Sequence, residues 1–220
     1  MISVDSMRMR VVLAAVALLG TGCSAAGADR PFAPGGEAAP VRTEQTAAPL
    51  STQEVRTIQA GRNMSVQVEW PAGLTSGHQA IVEAFTSSYA SSWKAVTSQG
   101  EDKGYLGAAE DQAARDSYTW VQSFVGKNRS VTGTAKLYAV QVASVTGRGA
   151  EVDACVDESA VKVTDATTGD PVPEQPDWTK PPTATYLQVA AIRRGADGRW
   201  RVKAYMHATY PHQRAKECAR

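Results

Sequence analysis

The chain has 220 residues, of which 43% are hydrophobic and 20% are charged, and its formal net charge is +1. This composition is that of an ordinary globular protein with one sizeable core and accessory segments. A surface that binds nucleic acid needs many basic side chains to neutralise phosphates, so the near-zero charge argues against that class of function.

The first pattern along the chain is a short apolar segment that ends at a cysteine. Arg8 and Arg10 precede the apolar residues 11–19, and the small residues Gly-Thr-Gly follow at 20–22. A positive start, an apolar run of about 7–15 residues and small residues before the cut define an export signal. The run is shorter than the roughly 20 apolar residues that span a bilayer. The segment is therefore predicted to be a signal peptide.

Residues 18–23, Leu-Leu-Gly-Thr-Gly-Cys, resemble the lipobox of bacterial lipoproteins. The resemblance implies that diacylglycerol is attached to the thiol of Cys23 and that cleavage then makes this residue the N-terminus. Acyl chains of this kind anchor a protein stably in a membrane. The expected location is the cell membrane, facing the extracellular side, with membrane lipid as the first partner. An ordinary secretory signal with a chance cysteine is the alternative.

The chain after the cysteine divides into two parts. Residues 23–60 are rich in Ala, Pro, Gly, Thr and Glu without apolar periodicity, which predicts a disordered tether that begins at the acylated Cys23. Residues 61–220 are predicted to fold as one extracytoplasmic domain, and alternation over residues 64–70 indicates a short first strand.

Two helices are expected at the start of this domain. A helix from residue 76 to Gly100 would carry one apolar face with helical spacing, formed by Ile81, Val82, Phe85, Tyr89, Trp93 and Val96. A second helix over residues 108–125 would turn Ala113, Trp120, Val121 and Phe124 inward.

From residue 131 onward, apolar residues recur at every second position instead of at helical spacing. This alternation predicts strands over residues 131–145, 151–164 and 184–194 and from Trp200 onward. In the first two strands the apolar set changes phase, so each needs a bulge or a sharp bend. The sheet is therefore expected to be long and strongly curved. In the last strand, strict alternation would place Tyr205 and His207 on the polar face, toward solvent or a partner.

The two cysteines other than Cys23 are Cys155 and Cys218, and in an exported protein two such cysteines are expected to form a disulfide bond.

Two N-terminal helices followed by about four to five bent antiparallel strands resemble the cone-shaped α+β fold of the nuclear transport factor 2-like superfamily. Residues 152–172, residues 196–202 and the closing Cys218 resemble small actinobacterial exported lipoproteins of that superfamily. The resemblance implies the fold more than the function.

Few residues in the sequence are candidates for a catalytic or metal-binding site. Enzymes of the superfamily place an acid/base pair inside the cone, and Tyr205 and His207, with Asp153 or Asp157, are the candidates here. The acidic series of residues 151–165 lacks the dense ligand loop of a calcium site, and no cofactor or metal is expected. The helix aromatics, with Trp93 and Trp120 among them, either fill the core or line an apolar cavity at the mouth of the cone.

These observations predict a non-catalytic binding or scaffold module on a membrane anchor, with a protein partner of the cell envelope, for example as an accessory of an envelope transport or secretion assembly. Binding of a small hydrophobic ligand in the cone is the alternative, and an isomerase- or hydrolase-like enzyme is a third. Trp93, Trp120, Tyr205 and His207 are the residues predicted to form a pocket or a partner face.

Overall fold

The computed structural model describes residues 54–219, and the predictions for Cys23, the signal peptide and most of the tether lie outside them. The described part contains three helices and six strands. In chain order these are β1 (Val55–Gln59), β2 (Met64–Glu69), α1 (Ser76–Thr97), α2 (Gly104–Ala108), α3 (Asp111–Val125), β3 (Arg129–Thr146), β4 (Gly149–Asp165), β5 (Thr185–Arg194) and β6 (Trp200–Thr209). Short 3₁₀ turns lie at Asp177–Thr179 and Gln213–Cys218.

The strands form one sheet in sequence order, β1 to β6. All neighbours are antiparallel except β2 and β3, which run parallel because α1 to α3 connect them. The helices and the inner face of the sheet share one core, in which Phe85, Trp93, Leu137 and Ile192 are fully or almost fully buried. The predicted α+β architecture, with N-terminal helices packed on a curved and mainly antiparallel sheet, is confirmed.

The sheet has more strands than the sequence indicated. β1 occupies residues 55–59 and pairs along its whole length with β2, so the folded part begins before residue 61. Alternating intermediate and exposed burial explains why β1 carries no clear apolar pattern. The expected second helix over residues 108–125 corresponds to α3, which starts at Asp111, and a further short helix, α2, precedes it and ends at Ala108.

Bulges in β3 and β4 produce the predicted phase changes. In β3, Ala139 takes a positive φ of 48°, and Leu137 before it and Val140 after it both face the core. In β4, Glu158 and Ser159 lie between the pairs Lys136–Asp157 and Thr134–Ala160. Each extra residue bends its strand and increases the local twist.

The outer face of the sheet carries a second, smaller apolar cluster. Cys155, Leu187 and Val189 lie there with Tyr138, and the 3₁₀ turn Gln213–Cys218 packs over them. The predicted disulfide between Cys155 and Cys218 is present, with Cα atoms 5.3 Å apart. It ties the C-terminal segment to the middle of β4.

Candidate functional site

A cavity of about 530 Å³ opens between the helices and the inner face of the sheet. The four residues predicted as a pocket or partner face, Trp93, Trp120, Tyr205 and His207, all line it. α1, α3, β4, β5, β6 and the turn at Trp178 contribute the remaining wall, formed by Tyr89, Ser92, Asp116, Ser117, Glu158, Trp178, Tyr186, Gln188 and Thr209. The volume is within the range of sites for small organic molecules.

The position of Tyr205 and His207 corrects the expectation from strict alternation in β6. Ala191 pairs with Ala204, but the next residue of β5, Ile192, pairs with Val202, so Lys203 is an extra residue in β6. This bulge reverses the alternation. Val202 is buried in the core, and the half-buried Tyr205 and the more exposed His207 line the cavity on the same side of β6, whereas Met206 is 61% exposed.

Aromatic rings form the side of the cavity nearest the helices. Trp93 lies at the centre, with its ring centroid 4.8 Å from that of Trp120 and 6.0 Å from that of Trp178. Phe124 packs edge-on against Trp120 and completes the cluster from behind. Of the two roles foreseen for the helix aromatics, Phe85 takes the core role and Trp120 lines the cavity, whereas Trp93 belongs to the core and borders the cavity as well.

Glu158 supplies a carboxyl group to the cavity although its side chain is 94% buried. The hydroxyls of Tyr89 and Tyr186 donate to the same oxygen, Oε1, at 2.6 and 3.1 Å. Burial raises the pKa of Glu158 to about 7, although the two tyrosine hydrogen bonds act in the opposite direction. Burial also holds the pKa of each of these tyrosines well above 10, so both remain donors at neutral pH.

Tyr205 and His207 line the β6 side. The Tyr205 hydroxyl and Ser88 Oγ share a hydrogen bond of 2.7 Å, and burial raises the pKa of Tyr205 to about 12. The ring of His207 packs against those of Tyr205 and Tyr186. Partial burial there lowers the pKa of His207, which favours the neutral imidazole at neutral pH.

Gln188 is a further buried polar side chain in the wall, with 3% of its surface exposed. Its amide makes no side-chain hydrogen bond within residues 54–219. Glu158 Oε2 likewise accepts none from the residues that the structure describes. Buried polar groups are normally hydrogen-bonded, so these two groups are suited to meet polar atoms of a ligand.

The remaining candidates lie elsewhere. Asp153 is on the outer side of the sheet next to Arg214, and Asp157 precedes the β4 bulge. Arg201 and Lys203 of β6 are paired with acidic side chains, Arg201 with Asp197 and Lys203 with Asp111. Across residues 54–219 no three His, Cys, Asp or Glu side chains group closely enough to hold a metal ion. No helix in this range is long and apolar enough to cross a membrane.

No family model matches the sequence, and no curated protein matches it. A proposed aromatic ring hydroxylase from Novosphingobium aromaticivorans is similar in structure, with TM-score 0.40 and 11% identity over 62% of this chain and 92% of its own. The intermembrane space region of the chloroplast protein ARC6 has TM-score 0.37 and 13% identity, covering 59% and 95%. A proposed ketosteroid isomerase from Shewanella frigidimarina has TM-score 0.29 and 11% identity, covering 57% and 94%.

Proposed function

We propose that this chain is a membrane-anchored extracytoplasmic lipoprotein whose cone-shaped domain binds a small, largely apolar molecule without converting it. The observation that carries the proposal is the cavity beside Trp93, which has an aromatic wall and two buried polar groups with unused hydrogen-bonding capacity. A cone filled by side chains would instead favour a scaffold that binds only through its surface. The signal and lipobox-like segment at residues 8–27 supports the anchor.

The test places a bulky side chain in the cavity wall. Ser117 lies on α3, is 8% exposed and lines the cavity, whereas Ser123 on the same helix is exposed to solvent. We expect the full-length protein to enhance the fluorescence of the neutral apolar probe N-phenyl-1-naphthylamine. Ser117→Phe should abolish this enhancement because the ring occupies the probe's volume, and the matched Ser123→Phe should retain it.

Circular dichroism of both variants checks that each one is folded. Equal probe binding by the two variants, or no binding by the wild-type protein, would contradict the proposed function.

A second candidate function is catalysis, and one observation favours it. A carboxyl group with a pKa of about 7 in a cavity is suited to accept or donate a proton near neutral pH. The tyrosine hydroxyls around Glu158 donate to it, and His207 lies on the far side of Tyr186. Turnover of a bound carbonyl compound that is lost in Glu158→Gln would support an enzyme.

A further inference from the structure

The charges in the cavity wall are of one sign. Two carboxyl groups line it, Glu158 on the inner face of the sheet and Asp116 on α3 toward solvent. No Lys or Arg belongs to the wall as the structure describes it. The lowered pKa of His207 leaves that ring neutral near pH 7. A ligand that carries a positive charge would therefore meet no repelling group.

The aromatic wall suits the same kind of ligand. Six tyrosine and tryptophan rings line the cavity: Tyr89, Trp93, Trp120, Trp178, Tyr186 and Tyr205. The face of an aromatic ring carries negative electrostatic potential and attracts an organic cation, most strongly where water is excluded. Apolar carbon atoms of a ligand would pack on the same rings.

From this arrangement we infer that the natural ligand is an organic amine bound in its ammonium form, with an N–H group donating to Glu158 Oε2 and an apolar body against the tryptophans. The inference rests on the proposed function, because it names the ligand class of the same cavity. Gln188 offers an amide oxygen as a second acceptor at the same wall. An ammonium group would supply the counter-charge that the buried carboxylate lacks among the described residues.

Binding is expected to depend on pH through Glu158. The titratable groups nearest to it are the hydroxyls of Tyr89 on α1 and Tyr186 on β5 and the carboxylate of its β4 neighbour Asp157. Tyr205 and His207 on β6 and Asp116 on α3 line the cavity farther out. The tyrosines stay protonated at neutral pH, so Glu158 is the buried group whose charge changes near pH 7. Its ionised form binds a cation, so amine affinity should rise as pH rises through 7.

The test compares three probes that share an indole ring and differ in charge: tryptamine (cation), tryptophol (neutral) and indole-3-acetate (anion). Calorimetric titration of the full-length protein at pH 8 should give tryptamine an affinity about tenfold above that of tryptophol, since a charge-assisted hydrogen bond replaces a neutral one. Indole-3-acetate should bind most weakly. At pH 5.5 the preference for tryptamine should fall to about twofold.

Two variants assign the preference to a residue. Glu158→Gln keeps the size of the side chain and should reduce the preference for tryptamine at pH 8 to about twofold. Glu83→Gln, an exposed position on α1, removes the same charge and should leave the preference intact. If Glu158→Gln does not fold, the pH dependence of the wild-type protein still decides.

The outcomes separate the two proposals. The amine inference is overturned if tryptophol binds as tightly as tryptamine or more tightly. If tryptophol also displaces N-phenyl-1-naphthylamine from the cavity, the proposed function still stands. Failure of all four probes overturns both. A tryptamine preference that survives in Glu158→Gln and does not change with pH also overturns the inference.

Discussion

The carboxyl group of Glu158 lies where burial and hydrogen bonding oppose each other. Burial favours the neutral acid, whereas the hydroxyls of Tyr89 and Tyr186 favour the carboxylate, and burial has the larger effect on the pKa. From the sequence this glutamate belonged to an acidic series along a strand. Its burial depends on the β4 bulge and on tyrosines 69 and 28 positions away in the chain, which no local pattern reveals.

The raised pKa makes a prediction about stability. Because the folded-state pKa of about 7 exceeds the unfolded value near 4.5, the folded protein holds this proton more tightly. The contribution of Glu158 to the free energy of unfolding is complete below pH 4.5 and falls by about 3 kcal/mol as pH rises through 7. Glu158→Gln should remove this part of the pH dependence.

Denaturant unfolding at pH 4.5 and 7.5 measures the effect as the difference between wild-type and variant proteins, in which the other titrating groups largely cancel. The exposed change Glu83→Gln controls for net charge. The same pH dependence in the wild-type protein and Glu158→Gln would contradict the assignment.

At the scale of the elements, the bulges decide which side chains reach the cavity. The phase changes in β3 and β4 were visible in the sequence because apolar residues on both sides of each bulge record the core-facing positions. The bulge at Lys203 in β6 was not visible in the sequence, since small or apolar residues at 204, 206 and 208 continue the alternation that precedes it. After the bulge, however, these positions lie on the other face of the sheet. Trp178 could not be assigned either, because it lies in a proline-rich loop without periodicity.

Gly133 permits the close approach of β3 to β4. Its φ is +107°, and a Cβ atom there would lie 2.0 Å from the carbonyl oxygen of Ala160. Gly147, in the turn between the same strands, also has a positive φ of 58° but open space around it. Both glycines therefore have a positive φ, which side chains disfavour, but only Gly133 is also crowded.

We expect Gly147→Ala to destabilise the fold by about 1–2 kcal/mol through backbone strain alone. Gly133→Ala should cost at least about 3 kcal/mol, because the Ala160 carbonyl must also move and the β3–β4 ladder with it. Urea unfolding of the two variants gives the comparison. Equal losses would show that crowding at Gly133 contributes nothing.

For the domain that the structure describes, the cavity lies between the helices and the inner face of the curved sheet. α1 packs its predicted apolar face, including Phe85 and Val96, into the core, and its Tyr89, Ser92 and Trp93 border the cavity opposite β5 and β6. The disulfide from Cys155 to Cys218 holds the C-terminal segment on the opposite face of the sheet. The cavity and the disulfide therefore lie on different faces.

The proposed membrane anchor at Cys23 can be tested by substitution. Cys23→Ala removes the thiol that a lipoprotein acylates, so in a bacterial host the variant should lose membrane association and remain as the uncleaved precursor. Cell fractionation and the mass of the purified N-terminus measure both effects. The neighbouring change Ser24→Ala should retain processing and membrane association. Unchanged processing and fractionation of Cys23→Ala would contradict the lipoprotein proposal.

Sequence patterns were sufficient to predict the α+β class, the positions of α1, α3 and the long strands, the pairing of Cys155 with Cys218 and two of the bulges, because each depends on local periodicity or residue type. The three-dimensional structure was needed to show that Tyr205 and His207 face the same cavity as Trp93 and Trp120, and that Glu158 lies buried beside them. The difference arises from strand register. A single extra residue in a strand exchanges its two faces, and neither composition nor spacing records which strand will take it.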